Sequence, residues 1–146
     1  MSRAVTVSLC LIARDEEDYI QDCIRSVSHL VDEVILVDTG SRDETANLAR
    51  EAGARVFFHR WENDFALARN HGLGQAASEW ILVLDADEIL EPVKADEFGT
   101  LLAREEVAGY FLKVKSYLGS GRAVRWDRVV RLFGGAPDYR PRRLSG

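Results

Sequence analysis

The sequence predicts an α/β protein in which a mostly parallel, Rossmann-like sheet is flanked by helices and followed by a C-terminal β-hairpin. Two observations predict the parallel sheet. Four short runs within residues 1–84 are apolar at nearly every position, and amphipathic segments separate them. Strands of this kind are typical of parallel sheets that are covered on both faces. The third observation is a pair of alternating runs near the C-terminus, which is typical of an antiparallel hairpin.

The four predicted parallel strands are short runs rich in valine, isoleucine, leucine and phenylalanine. Each is separated from the next by a segment long enough for a helix, so the connections are expected to be crossovers. In chain order the strands cover residues 5–12, 34–37, 55–59 and 80–84.

Three helices are predicted between these strands. The first opens at residues 15–16 and keeps its apolar side chains on one face. The second follows a capping-box pattern with Ser41 as its N-cap. The third covers residues 65–77, and Asn63 or Asp64 supplies its N-cap.

The pattern changes after residue 90. A fourth helix is predicted from Pro92 to about Glu105, and the hairpin is formed by residues 110–118 and 124–133. Residues 134–146 have no periodicity and contain two prolines, so we expect them to be loose.

Composition and charge limit the class of protein. The chain is 47% hydrophobic and 29% charged, which is ordinary for a soluble globular domain. No apolar run is long enough to span a membrane, and we expect a cytoplasmic protein with Cys10 and Cys23 as reduced core thiols.

Residues 1–100 hold 9 basic against 20 acidic side chains, whereas residues 101–146 hold 10 against 4. The basic segment 122–143 is either a solvated tail or faces an anionic ligand. No nucleic-acid-binding module is visible.

An acidic pair supplies the strongest functional signal. Asp85 and Asp87 follow a buried strand with only Ala86 between them. Paired carboxylates suit a hard cation such as Mg²⁺ or Mn²⁺, which usually shares its coordination shell with substrate phosphates. The alternative is a solvated acidic loop. Glu88 is expected at the surface or as a helper of the pair.

Other polar residues follow the predicted strands. Arg14 and Asp38 come at strand ends, where doubly wound sheets bind their ligands. Asp38 is expected to contact a ribose or a base, and the alternative is a turn-forming role. Arg69 reaches a phosphate or is an exposed helical arginine.

The sequence predicts no catalytic or binding role for the histidines or for two of the tryptophans. His29, His59 and His71 are isolated in the sequence and are expected to be structural or on the surface. Trp61 and Trp80 are expected to be packing residues.

Taken together, several segments resemble glycosyltransferase family 2, the inverting nucleotide-sugar transferases with the GT-A fold. The likeness covers roughly residues 5–140 and depends on motifs in the family's order and spacing. These are LCLIARDEE at residues 9–17, VILVDTGSRDET at 34–45, WENDFALARN at 61–70 and WILVLDADEIL at 80–90, with a weaker likeness at residues 131–140.

The resemblance implies a role for each end of the donor. Asp85 and Asp87 would form the family's Asp-x-Asp pair, with Asp87 as the direct ligand of Mg²⁺ or Mn²⁺. The cation would bridge the donor's diphosphate as it leaves. Asp38 would contact the base or ribose of a nucleotide-sugar donor, for which a UDP-sugar is expected.

Three further positions match places where family members bind the donor. Arg14 and Arg69 would bind the donor through their side chains. Ala13 would line the donor cleft through its backbone. The acceptor, whether a glycan, a lipid or a peptide, is not specified by the resemblance.

The resemblance also implies a division of the chain. Residues 1–146 would form a single transferase domain, with residues 1–90 as the nucleotide-binding half and residues 91–146 as part of the acceptor side. A general base is needed to take the acceptor proton. The family's His-Glu after the final strand is absent here, and Asp127 is the only acid within the predicted hairpin.

Two alternatives follow from this departure. The chain is either an active transferase or a truncated, non-catalytic domain that binds nucleotide sugars or another protein. A third alternative is a phosphatase of the haloacid-dehalogenase type, in which an acid-ended strand supplies the nucleophile. That fold needs a further acidic pair at a later strand end, and the sequence offers none.

Overall fold

The computed structural model describes residues 5–104, 109–118 and 123–134. The strands are β1 (Val7–Ala13), β2 (Glu33–Asp38), β3 (Arg55–Phe58), β4 (Trp80–Val83), β5 (Glu88–Leu90), β6 (Gly109–Leu118) and β7 (Ala123–Gly134). The helices are α1 (Ile20–Val27), α2 (Thr45–Glu51), α3 (Phe65–Gln75) and α4 (Ala95–Leu102).

All seven strands belong to one sheet, in the order β3-β2-β1-β4-β7-β6-β5. The first four are parallel, and β1 lies between β2 and β4. The hairpin of β6 and β7 is antiparallel, and β7 pairs with β4. The predicted fold class is therefore confirmed, and the hairpin continues the parallel half rather than standing apart from it.

The sheet is covered on both faces, as its apolar strands predicted. One face packs against α1, whose predicted apolar stripe is fully buried at Ile20, Cys23, Ile24 and Val27. The other face packs against α3 and includes Leu73. Both cysteines are free and buried, as expected.

Two helices begin later than predicted. Helix α1 starts at Ile20, because residues 14–19 form a loop in which Asp15 has a φ of +55°. Helix α2 starts at Thr45, whose backbone N–H donates to the Asp43 carboxylate. The prediction that Ser41 caps this helix is wrong, since its hydroxyl accepts a hydrogen bond from the Asp15 backbone instead.

The remaining elements differ less from expectation. The Asp64 carboxylate caps α3 by accepting hydrogen bonds from the backbone N–H groups of Ala66 and Leu67. Helix α4 is shorter at both ends than predicted, and the short strand β5 was not predicted. The segment expected to be loose lies, apart from Gly134, outside the described residues. Among the residues described, none of the helices has the length and apolarity that a membrane span requires.

Candidate functional site

A cavity of about 470 Å³ lies at the carboxyl ends of the parallel strands. Its walls come from the ends of β1, β2 and β4 and from the segment that follows β3. This is the edge where open parallel sheets bind their ligands. The lining residues are Ile12, Ala13, Arg14, Glu16, Thr39, Trp61, Phe65, Asp85, Ala86 and Asp87.

The acidic pair lies in a tight turn directly after β4. The Glu88 backbone N–H donates to the Asp85 carbonyl at 2.9 Å, and the Asp85 N–H donates to the Glu88 carboxylate at 2.8 Å. Glu88 is only 5% exposed, so it is a buried helper that closes the turn rather than a surface residue. With the backbone closed in this way, the half-buried side chains of Asp85 and Asp87 line the cavity.

Glu16 is a third carboxylate of the cavity, and the sequence analysis did not identify it. Partial burial, and after it the negative charges of Asp87, Asp43, Asp85 and Asp15, together raise its pKa from the ordinary 4.5 to about 7. The repulsion from these four acids reflects an anionic region around the cavity. The signal that could have found Glu16 is its place just after β1, in the loop that we had assigned to a helix.

Two loops near the acidic pair are joined by hydrogen bonds. The Asp15 backbone N–H donates to the Ser41 hydroxyl at 2.9 Å, and the Arg42 N–H donates to the Asp15 carboxylate at 2.7 Å. These bonds join the loop after β1 to the loop after β2. The first of these loops thereby holds Arg14 and Glu16 at the cavity wall, where Arg14 is exposed.

Asp38 is placed behind the cavity wall rather than on it. Its side chain is buried, and Oδ1 accepts hydrogen bonds from the N–H groups of Gly40 at 2.8 Å and Ser41 at 2.7 Å. Thr39, the next residue, lines the cavity. One oxygen of the Asp38 carboxylate therefore holds the turn after β2, which corresponds to the turn-forming alternative.

The other two predicted donor-binding residues belong to different elements, Ala13 to β1 and Arg69 to α3. Ala13 is buried at the end of β1, lines the cavity, and accepts a backbone hydrogen bond from Thr39 at 3.1 Å. Arg69 is half-buried on α3, and its guanidinium lies 5.4 Å from the centre of the Phe65 ring. The structure thus brings Ala13, Arg14, Asp85 and Asp87 to one cavity, with Asp38 and Arg69 adjacent to its lining residues.

The predictions for the tryptophans and histidines are only partly confirmed. Trp80 is buried as expected, whereas Trp61 is 37% exposed and lines the cavity, so its prediction as a packing residue is wrong. His59 and His71 are not isolated, since their Nδ1 atoms are 3.1 Å apart. His29 Nε2 lies 2.9 Å from the Val93 carbonyl.

Comparison with known proteins identifies the family to which this fold and cavity belong. Residues 8–143 match glycosyl transferase family 2. The match covers most of the chain, and the chain therefore belongs to this family. The topology and the acid-ended strand β4 are those that the resemblance implied.

Two relatives of the chain match most of its length. The chain is 42% identical over 135 residues to a TPR repeat-containing protein of Synechococcus elongatus. The aligned region covers 92% of this chain and 33% of that protein. It is 33% identical over 128 residues to a glycosyltransferase of Rickettsia typhi, covering 87% of this chain and 42% of that one. The chain thus spans well under half the length of these relatives.

Solved structures show the same fold. The glucosyl-3-phosphoglycerate synthase of Mycobacterium tuberculosis, in complex with Mn²⁺, UDP and glucosyl-3-phosphoglycerate, matches with a TM-score of 0.60 and 29% identity. The match covers 73% of this chain and 43% of that enzyme. The same enzyme has also been solved with Mg²⁺ and UDP and with Mn²⁺ and UDP-glucose.

Proposed function

We propose that this chain is the donor-binding part of a glycosyltransferase. The enzyme would move a sugar from a nucleoside-diphosphate sugar to an acceptor hydroxyl. One observation carries the proposal: Asp85 and Asp87 line a cavity at the carboxyl edge of a parallel sheet in a member of this family. A solved relative of the same fold binds UDP-glucose together with Mn²⁺. We therefore infer a UDP-sugar as the donor.

A divalent cation, Mg²⁺ or Mn²⁺, would be held by the acidic pair, with Asp87 as its direct ligand. Carboxylate oxygens are the donors that these hard cations prefer. Within the three described ranges, no group of three or more histidine, cysteine, aspartate or glutamate side chains is placed to hold a metal ion. A cation at the pair would take its other ligands from donor phosphates and water, as Mg²⁺ commonly does. When bound, it would stabilise the charge of the leaving diphosphate.

The remaining wall residues suit the other parts of the donor. Arg14 is exposed at the cavity and carries a donor fork that matches phosphate geometry. Ala13 would contribute its backbone, and Asp38 would support the nucleoside side of the site through the turn that it holds. Arg69 would support the donor from α3.

We further propose that residues 1–90 form the nucleotide-binding half and residues 91–146 the beginning of the acceptor side. The general base and the acceptor are not assigned by the described residues.

The two free cysteines agree with a reducing compartment, and we infer the cytoplasm. The phosphatase alternative falls, because the chain belongs to the glycosyltransferase family.

Binding and turnover test the proposal separately. UDP-glucose with Mn²⁺ is expected to raise the melting temperature of the 146-residue chain, because a ligand that binds only the folded state stabilises it. Asp87→Ala is expected to abolish the Mn²⁺-dependent part of this rise. Asp96→Ala, which removes an exposed acid in the first turn of α4, is the matched control and should leave the Mn²⁺ response intact.

An unchanged Mn²⁺ response in the Asp87 variant would overturn the metal assignment. Release of UDP in the presence of UDP-glucose distinguishes an enzyme from a binding domain. Donor binding without any release or transfer would support the non-catalytic alternative.

A further inference from the structure

Large exposed apolar side chains are concentrated in one segment of the described residues. Phe58, Trp61, Phe65 and Leu67 are 69%, 37%, 53% and 44% exposed. Exposed apolar clusters mark sites of ligand or partner binding more often than chance. Two of the four, Trp61 and Phe65, also line the cavity that contains the acidic pair.

These two aromatic rings have a defined arrangement. Their centroids are 6.1 Å apart, and the ring planes meet at 83°. The Trp61 indole N–H donates to the Asn63 side chain at 3.2 Å, and Asn63 has a φ of +57°. On the helix side, the Arg69 guanidinium lies against Phe65. The pair is therefore positioned by its own loop and by the start of α3.

The aromatic pair and the acidic pair follow strands that are not neighbours in the sheet. Trp61 follows β3, whereas Asp85 follows β4, and the sheet order places β2 and β1 between these strands. Three strand spacings correspond to about 14 Å. A phosphate-bound cation suits the acidic pair. An uncharged group with flat faces suits the aromatic pair.

We propose that Trp61 and Phe65 form an aromatic wall that stacks on the nucleobase of the donor and so determines its affinity for the nucleoside part. This inference rests on the proposed function. The base is the flat, uncharged group of a nucleoside diphosphate. The same cavity includes Ala13 and Thr39 at the carboxyl ends of β1 and β2, where such folds bind their ligands.

Ligands that contain or lack the base test this assignment. Titration calorimetry with UDP and with inorganic pyrophosphate, both in Mn²⁺, compares the wild type with Trp61→Ala. We expect UDP to bind about 5-fold to about 150-fold more weakly, the range found when base–aromatic stacking is removed. Pyrophosphate affinity is expected to stay unchanged, and Trp61→Phe is expected to recover most of the UDP affinity.

A matched control comes from the same segment. Phe58 is the most exposed of the four side chains and is not among the residues that line the cavity. Phe58→Ala is expected to leave both affinities unchanged. As a second readout, UDP is expected to quench the tryptophan fluorescence of the wild type, and pyrophosphate is not. The Trp61→Phe variant, which keeps Trp80 and Trp126, should lose that quenching.

The possible failures can be told apart. If Trp61→Ala binds UDP as well as the wild type, or loses pyrophosphate affinity equally, the aromatic wall does not bind the base. If the variant loses only the extra affinity of UDP-glucose over UDP, the wall contacts the sugar and the inference is wrong. If the wild type binds neither UDP nor UDP-glucose, the proposed function itself fails.

Discussion

Two glycines of helix α3 allow the packing of this helix against the sheet to be measured. A Cβ atom added at Gly72 would lie 2.9 Å from Cγ2 of Val37, whereas one added at Gly74 would meet nothing within 4 Å. Carbon atoms in good contact are about 3.5–4.0 Å apart. Val37 is fully buried and β-branched, so its side chain has little freedom to move away. Gly72→Ala is therefore expected to force α3 away from β2.

The magnitude follows from comparing the two positions. Overpacking a core costs about 1–3 kcal/mol, and replacing a helical glycine with alanine gains about 1 kcal/mol. Gly74→Ala should therefore stabilise the protein by about 1 kcal/mol, and Gly72→Ala should destabilise it by up to about 2 kcal/mol. Because the helix propensity cancels between them, the two variants should differ by about 1–3 kcal/mol.

Urea unfolding of both variants measures this difference as a change in midpoint at constant slope. Adding Val37→Ala should remove most of the penalty of Gly72→Ala, and a double-mutant cycle reports the coupling. If the two alanine variants have the same unfolding free energy, α3 does not approach β2 as closely as described, and the reasoning is refuted.

Two further predictions concern the rim of the cavity. The pKa of Glu16 is about 7 in the folded chain, whereas its ordinary value is 4.5. The folded state therefore holds this proton more tightly than the unfolded state, and the metal-free protein loses stability as the pH rises from about 5 to about 7. The Glu16→Gln variant should not show this loss of stability, whereas the exposed control variant Glu51→Gln should show it as the wild type does. Equal urea midpoints for the wild type and Glu16→Gln at about pH 8 would contradict the raised pKa. Asp64→Ala should cost about 1 kcal/mol, because it removes the acceptor of two hydrogen bonds at the start of α3. Thermal unfolding should show a decrease of about 3 °C, and no decrease would show that the cap is dispensable.

Sequence patterns predicted the parallel sheet well because three of its four parallel strands, β1, β2 and β4, are buried on both faces. The runs that contain Leu9, Ile35 and Ile81 are apolar at nearly every position, and this property is local. The Asp64 cap was predictable for the same reason, since a capping residue contacts only the first turn of its own helix. The acidic pair was found because it directly follows such a strand.

The predictions that failed depend on contacts between distant residues. Ser41 was predicted to cap α2 from its spacing, but Asp15, which is 26 residues away, takes its hydroxyl. The start of α1 was misplaced because the same contact holds residues 14–19 as a loop. Glu16 was consequently assigned to a helix rather than to the cavity. No local pattern distinguishes these arrangements.

The two tryptophans illustrate the same limit. Trp61 and Trp80 were both expected to pack in the interior, yet only Trp80 is buried. Trp80 belongs to a strand, whereas Trp61 lies in the segment between β3 and α3. Whether a side chain in such a segment folds inward depends on the loop geometry, which the sequence does not specify.

The pairing of β7 with β4 has a consequence for how the chain reaches its native state. Strand β4 precedes the acidic turn, and its second neighbour arrives only some 50 residues later, where Leu132 pairs with Leu82 and Phe133 with Ile81. Until that neighbour docks, β4 is an open edge whose unpaired backbone groups can recruit a strand from another molecule. A nascent or shortened polypeptide that ends before residue 123 should therefore self-associate, and late, long-range pairing should limit the folding rate.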